Sequence, residues 1–184
     1  MAHQVFVYGT LKKGQPNHHV LTQCEGGKYT FWGQGRTVSK WPLVVASAYN
    51  IPFLLDIEGE GHNIVGEVYE VNDTLFAALD DLEGYPGFYD RRPISIKMEQ
   101  KMEGVNCADV IECWLYIITC YKPFMRELET YENYDSNGSH GKQYVSRCDR
   151  DEGWADLILP SLITLNDDLK ASEETSSMDD IHPV

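Results

Sequence analysis

Val5-Phe6-Val7-Tyr8-Gly9-Thr10-Leu11-Lys12-Lys13-Gly14-Gln15-Pro16-Asn17-His18 is an apolar strand pattern that stops abruptly at a glycine-flanked polar loop. A buried strand emptying into such a loop brings bare backbone N–H groups to a ligand. Gly9 and Gly14 stand at the two glycine positions of the phosphate cradle G-x-x-x-x-G-K-[ST], but Gln15 occupies its lysine position and Pro16 its hydroxyl position. Neither charge neutralisation nor Mg²⁺ binding is then available, which removes the phosphate reading.

Outward from the loop, Pro16 opens a short helix through Val20 and Leu21 that Gly26-Gly27 ends. Runs at 29–38, 43–46, 53–56 and 64–71 are short, rich in aromatic and β-branched residues and separated by Pro, Asn or Gly clusters, so they read as neighbouring, largely antiparallel strands. Asn72 or Asp73 caps a helix whose Leu75, Phe76, Leu79 and Leu82 recur at helical spacing, and Gly84 and Pro86 mark its end. Ile94, Ile96 and Met98 alternate with polar residues as a half-buried strand does, a polar turn follows at 102–108, and 110–121 is apolar on both alternating faces. The fold class this predicts is α+β, a mixed α/β domain on a curved or barrel-like sheet with short helices.

The chain has 184 residues, enough for one domain to bury its core without disulfides or metals. Its formal net charge is −14, and residues 149–184 hold ten Asp or Glu against Arg150 and Lys170. Such a surface repels phosphate backbones and anionic lipid, so neither nucleic acid nor membrane is an expected partner. Five cysteines, Cys24, Cys107, Cys113, Cys120 and Cys148, form no C-x-x-C pair and suit free thiols in a reducing compartment. The N-terminus enters a strand without a signal-like segment, and the longest apolar stretch, 110–121, is too short to span a bilayer. A cytoplasmic protein is expected, and a monomer is favoured. Beyond Arg150, Trp154, Leu157, Ile158, Leu159, Leu162, Ile163 and Leu165 cluster around Pro160, and 171–184 is acidic and aromatic-free. The division is therefore a domain at 1–150 and an acidic extension at 151–184, its apolar part docked on the domain and its end disordered.

Two other constellations lose their chemistry on inspection. The stretch 134–141 places Asp135, Asn137 and Gly138 close together, but counting from Asp135 the glycine and glutamate positions of a calcium loop fall on His140 and Ser146. His18-His19 and Cys24 lack a third ligand and an orienting Asn or Asp, so neither a metal centre nor a thiol hydrolase follows.

Five pieces in order carry a family resemblance: the first loop with Tyr8-Gly9-Thr10-Leu11, Asn50-Ile51-Pro52-Phe53-Leu54-Leu55, Gly66-Glu67-Val68-Tyr69, the helix end Asp80-Asp81-Leu82-Glu83, and Tyr134-Asp135-Ser136-Asn137-Gly138-Ser139-His140-Gly141. Over residues 3 to 148 the chain resembles the γ-glutamyl cyclotransferase superfamily, and within it the branch acting on γ-glutamylamines. The resemblance implies a small β-barrel flanked by short helices. It implies a cofactor-free enzyme with no metal, whose small-molecule partner is a γ-glutamylamine. The implied substrate is Nε-(γ-glutamyl)lysine from transglutaminase crosslinks, converted to 5-oxoproline and lysine. Glutathione or a γ-glutamyl amino acid as substrate, or a binding module that has lost turnover, are the alternatives.

In such a reaction the α-amine of the glutamyl group attacks its own γ-carbonyl, so the nucleophile comes with the substrate and proximity supplies much of the rate. The protein must move a proton and hold an oxyanion. The motif assigns the proton to Glu83. Its place at a helix C-terminus beside Asp80 and Asp81 is expected to hold its pKa above the usual carboxylate range. Tyr8, Gly9, Thr10 and Leu11 are the expected substrate-binding loop, acting through backbone N–H groups and without an arginine fork. Tyr116 is a candidate lining residue, drawn with Tyr89 and Tyr121 from eleven tyrosines. The loop 134–141 is expected to close over the site.

Overall fold

The computed structural model describes residues 1–138 and 141–159. Eight strands, β1 (Ala2–Val7), β2 (Tyr29–Thr37), β3 (Leu43–Ala46), β4 (Ile51–Leu54), β5 (Val65–Asn72), β6 (Asp90–Lys101), β7 (Val110–Ile117) and β8 (Thr130–Tyr131), alternate with two α-helices, α1 (His18–Gln23) and α2 (Asp73–Glu83). Short 3₁₀ turns at Pro123–Glu127, Arg147–Asp149 and Trp154–Leu157 complete the described elements. Five strands close a barrel in the order β1-β5-β2-β6-β7, and β4-β3-β8 form a separate sheet. The expected α+β class with a small barrel and short helices is the observed one.

Neighbouring barrel strands pair antiparallel, except that β1 meets β7 in parallel through Val5 and Trp114 and so closes the ring. Alternation along β1 sends Val5 and Val7 to one core cluster, with Leu75 and Leu79 of α2, and Phe6 to a second, with Val68, Ile96, Met98 and Leu115 of the other strands. Gly66 is required where β5 passes β1, because a Cβ there would lie 2.4 Å from Phe6 Cζ.

Some strand boundaries differ from those read in the sequence. The second sheet takes 43–46 and 51–54 out of the barrel, and β4 begins two residues early because the turn between Ser47 and Asn50, both at positive φ, sets Ala46 opposite Ile51. Pro52 is tolerated because β4 is an edge strand. β7 ends at Ile117, four residues short of the apolar run, and β8 is too short to carry a sequence pattern.

Helix α2 is bounded as its sequence implies. Asn72 Oδ1 accepts from Leu75 N at 3.1 Å, and Gly84 adopts φ 66° while Tyr85 N donates to Asp80 O at 3.0 Å. Glu83 is therefore the last helical residue, its direction set by a left-handed cap. Past the 3₁₀ turns, Ile158 is wholly buried in the cluster that also holds Val5 and Leu79. The remainder of the apolar segment from Pro160, and the stretch 171–184, lie outside the described residues. Among the described residues no helix is long and apolar enough to cross a membrane.

Candidate active site

The loop after β1 is fastened from several sides. Asn17 N donates to Thr10 O at 2.9 Å and Asn17 Nδ2 to Thr10 Oγ1 at 2.9 Å, which folds residues 10–17 back on themselves. Lys12, only 8% exposed, drives its ammonium into Asn133 Oδ1 at 2.5 Å and Tyr134 O at 2.6 Å, and burial lowers its pKa. Lys13 N donates to the buried Glu67 carboxylate at 2.8 Å, and Ser136 N to Gln15 Oε1 at 2.8 Å. The 134–138 part of the later loop is thus tied to the first loop, while Ser139 and His140, which the expected closure would need, lie outside the described residues.

Next to this loop is a cavity of about 240 Å³. Tyr8, Gly9, Thr10, Leu11, Glu83 and Tyr116 all line it. Three independent elements meet there: the loop after β1, the C-terminus of α2 and the end of β7. Among the described residues, the N–H groups of Gly9, Thr10 and Leu11 donate to no protein acceptor. Gly9 is required by packing as well, since a Cβ there would stand 3.0 Å from Pro52 Cγ.

The tyrosines turn out to be wall rather than free donors. Tyr8 Oη donates to Tyr116 O at 2.9 Å, and burial, reinforced by the Glu83 charge, raises its pKa far above the ordinary phenol. Tyr116 Oη donates to Asp80 Oδ1 at 2.6 Å, so its hydroxyl points to the helix and not to a ligand. Burial and Asp80 both raise its pKa. Tyr89 Oη reaches Pro52 O at 3.4 Å, and its raised pKa responds to burial first, then to the charges around it, which include Glu83 and Arg150. Tyr121 is not among the lining residues.

The local charge around Glu83 also differs from the simple reading of three acids in a row. Arg91 Nη1 holds both Asp80 oxygens, at 2.6 and 2.5 Å, and its guanidinium lies 4.2 Å from the Phe76 ring centroid. Asp81 is exposed. One neighbouring carboxylate is therefore ion-paired and the other solvated.

Sequence reasoning missed Arg150. Its guanidinium is the one basic side chain on the cavity lining among the described residues. Nε donates to Val145 O at 3.1 Å and Nη2 to Tyr144 Oη at 2.8 Å. Asn17 and Tyr144, joined at 3.1 Å, line both this cavity and a second groove of about 530 Å³ that includes His19, Gln143 and Asp149. The one signal in the sequence was an arginine between Asp149 and Asp151, six residues behind Tyr144. Among the described residues, no three His, Cys, Asp or Glu side chains cluster as metal ligands, and His18 donates its Nδ1 proton to Leu11 O at 2.9 Å.

Residues 5–142 match the family model described as gamma-glutamyl cyclotransferase, AIG2-like. A Drosophila melanogaster relative carrying a gamma-glutamylcyclotransferase name is 51% identical over 134 residues, 73% of this chain and 81% of its own. A gamma-glutamylaminecyclotransferase of Rattus norvegicus is 43% identical over 150 residues, covering 82% of this chain and all of the rat protein. The crystal structure of an AIG2-like protein from Mus musculus superposes with a TM-score of 0.76 at 40% identity, over 81% of this chain and 99% of that one.

Proposed function

This chain belongs to the gamma-glutamyl cyclotransferase, AIG2-like family, and from that premise we propose that it converts γ-glutamylamines to 5-oxoproline and the free amine, with Nε-(γ-glutamyl)lysine as its substrate. The observation that carries the reading is the meeting of Glu83 with residues 8–11 on one cavity. A carboxylate and a set of backbone donors are what an intramolecular aminolysis asks of a protein.

In this mechanism the glutamyl chain folds so that its α-nitrogen approaches its γ-carbonyl. Glu83 takes a proton from that nitrogen, the new C–N bond forms, and the carbonyl oxygen gains charge against the N–H groups of Gly9, Thr10 and Leu11. Glu83 then gives the proton to the leaving nitrogen as the old amide bond breaks. Every atom of the products comes from the substrate, and the carboxylate is restored. The leaving amine departs past Asn17 and Tyr144, which border both cavity and groove.

We further propose a cytoplasmic monomer, in keeping with five cysteines that are all free. The testing experiment is 5-oxoproline release from γ-glutamyl-lysine, glutathione and γ-glutamyl-alanine. Turnover of the first well above the others supports the reading. Preference for glutathione would move the protein to another substrate class, and release from none would make it a binding module.

A further inference from the structure

The cavity wall extends past the part of the chain that matches the family model. That match ends at residue 142, whereas Tyr144, Arg150 and Ala155 also line the cavity. Half-buried Ala155 arrives there on a short segment held at both ends. At the first, Asp151 N donates to Tyr49 Oη at 3.2 Å, and that hydroxyl donates to Asp151 Oδ2 at 2.9 Å. At the second, Lys122 N donates to Ile158 O at 2.7 Å and Lys122 Nζ to Asp156 O at 2.6 Å, while the Ile158 side chain is wholly buried in the core. Gly153 turns the chain between them at φ 76°, and Ile158 N and Leu159 N both donate to Ala155 O, at 3.0 and 2.9 Å. A residue fixed from both sides in this way gives the cavity a wall of set position.

The lining offers two kinds of surface. Glu83 and the backbone N–H groups of residues 9–11 are polar and serve the reacting atoms, whereas Ile51, Pro52, Leu82, Phe88 and Ala155 are apolar. The glutamyl half of a substrate carries an ammonium and a carboxylate close to the reacting carbonyl, and such groups lose by apolar contact. The alkyl chain of a leaving amine has no polar atom along its length and gains by it. Tyr144, from the same C-terminal run as Ala155, also borders the second groove, on the side by which the amine leaves.

Resting on the proposed cyclotransferase reading, we propose that Ala155 is a specificity-determining residue that packs against the alkyl chain of the leaving amine, the size of its side chain setting the room for that chain. The segment that carries it is then part of the substrate site.

The test varies the residue and the amine together. Wild type, Ala155→Leu and Ala155→Gly are assayed for 5-oxoproline release from γ-glutamyl-methylamide and γ-glutamyl-butylamide, which share the glutamyl half and differ in alkyl length. The quantity read is the butylamide-to-methylamide ratio of kcat/KM within each protein, so partial misfolding of a variant cancels. Ala155→Leu should lower this ratio by about 10-fold or more, because side chain and amine then compete for one space. Ala155→Gly should lower it by about 2- to 4-fold, because one methyl contact is lost. Both falls should come chiefly through KM. A ratio unchanged in Ala155→Leu, whether both substrates slow equally or neither does, overturns the inference. Should Ala155→Leu not fold, Ala155→Gly, which cannot overfill the cavity, decides by the same ratio. Calorimetric titration of the same proteins with the two amides separates this claim from the enzyme reading. Butylamide binding that the substitution weakens more than methylamide binding, without turnover in wild type, refutes the enzyme reading and retains the role of Ala155. Turnover with an unchanged ratio refutes that role and retains the enzyme. No turnover together with equal weakening, or with no binding to wild type, refutes both.

Discussion

Tyr8 and Tyr116 are joined at the edge of the cavity, the hydroxyl of the first donating to the backbone carbonyl of the second at 2.9 Å. This bond ties the start of the substrate loop to the end of β7, elements 108 residues apart in the chain. Tyr8→Phe keeps the ring and strands a buried carbonyl, at a cost of about 1–3 kcal/mol. The urea midpoint should fall accordingly, while turnover persists, because the residue serves the ligand through its backbone.

The phenols of Tyr8, Tyr89 and Tyr116 all have raised pKa values, burial being the leading cause for each. Unfolded phenols release their protons near about pH 10. Above that point the native chain binds more protons than the unfolded one, so stability falls as pH rises. Below it the contribution is fully present. Lys12, lowered by burial, acts in the opposite sense until it reaches its ordinary value and so delays the decline. Denaturant midpoints across the alkaline range should drop beyond this window, and the drop should shrink in Tyr8→Phe.

Asp80 is held by Arg91 and by the Tyr116 hydroxyl at once, with Asp80 and Arg91 side chains 22% and 16% exposed. Asp80→Asn leaves the Arg91 charge among the Phe76, Tyr85 and Trp114 rings. The expected loss is roughly 2–3 kcal/mol, below that of a fully buried pair because some solvent reaches both groups. Thermal unfolding measures it, and an unchanged midpoint would show that the pair adds nothing.

Gly9→Ala sets a methyl 3.0 Å from Pro52 Cγ, so the ring or the loop must give. A stability cost of about 1 kcal/mol is expected, with a larger effect on KM, since the loop shifts relative to the cavity. Steady-state kinetics with γ-glutamyl-lysine resolves the two.

The sequence exposed what is local. The bounds of α2 follow from Asn72, four apolar residues at helical spacing and Gly84, which is why the position of Glu83 at a helix end was legible. The apolar run of β1, the aromatic and β-branched residues of β5 and the alternation of β6 showed strands, but such patterns carry no information on partners. Neither the parallel contact of Val5 with Trp114 nor the removal of β3 and β4 to another sheet was visible. The pairing of Asp80 was hidden for the same reason, because Arg91 reaches it through a fold contact and not through neighbourhood in the chain. Arg150 sits in a segment without regular spacing, and only the tertiary structure brings it to the cavity.

The central claim is that Glu83 moves the proton in a self-cyclisation of the substrate. Release of 5-oxoproline from γ-glutamyl-lysine by wild type and by Glu83→Gln, with urea midpoints alongside, measures it most directly. The account predicts a fall of about 10²- to 10⁴-fold in kcat with an unchanged midpoint. Wild-type rates in a folded Glu83→Gln protein would contradict it.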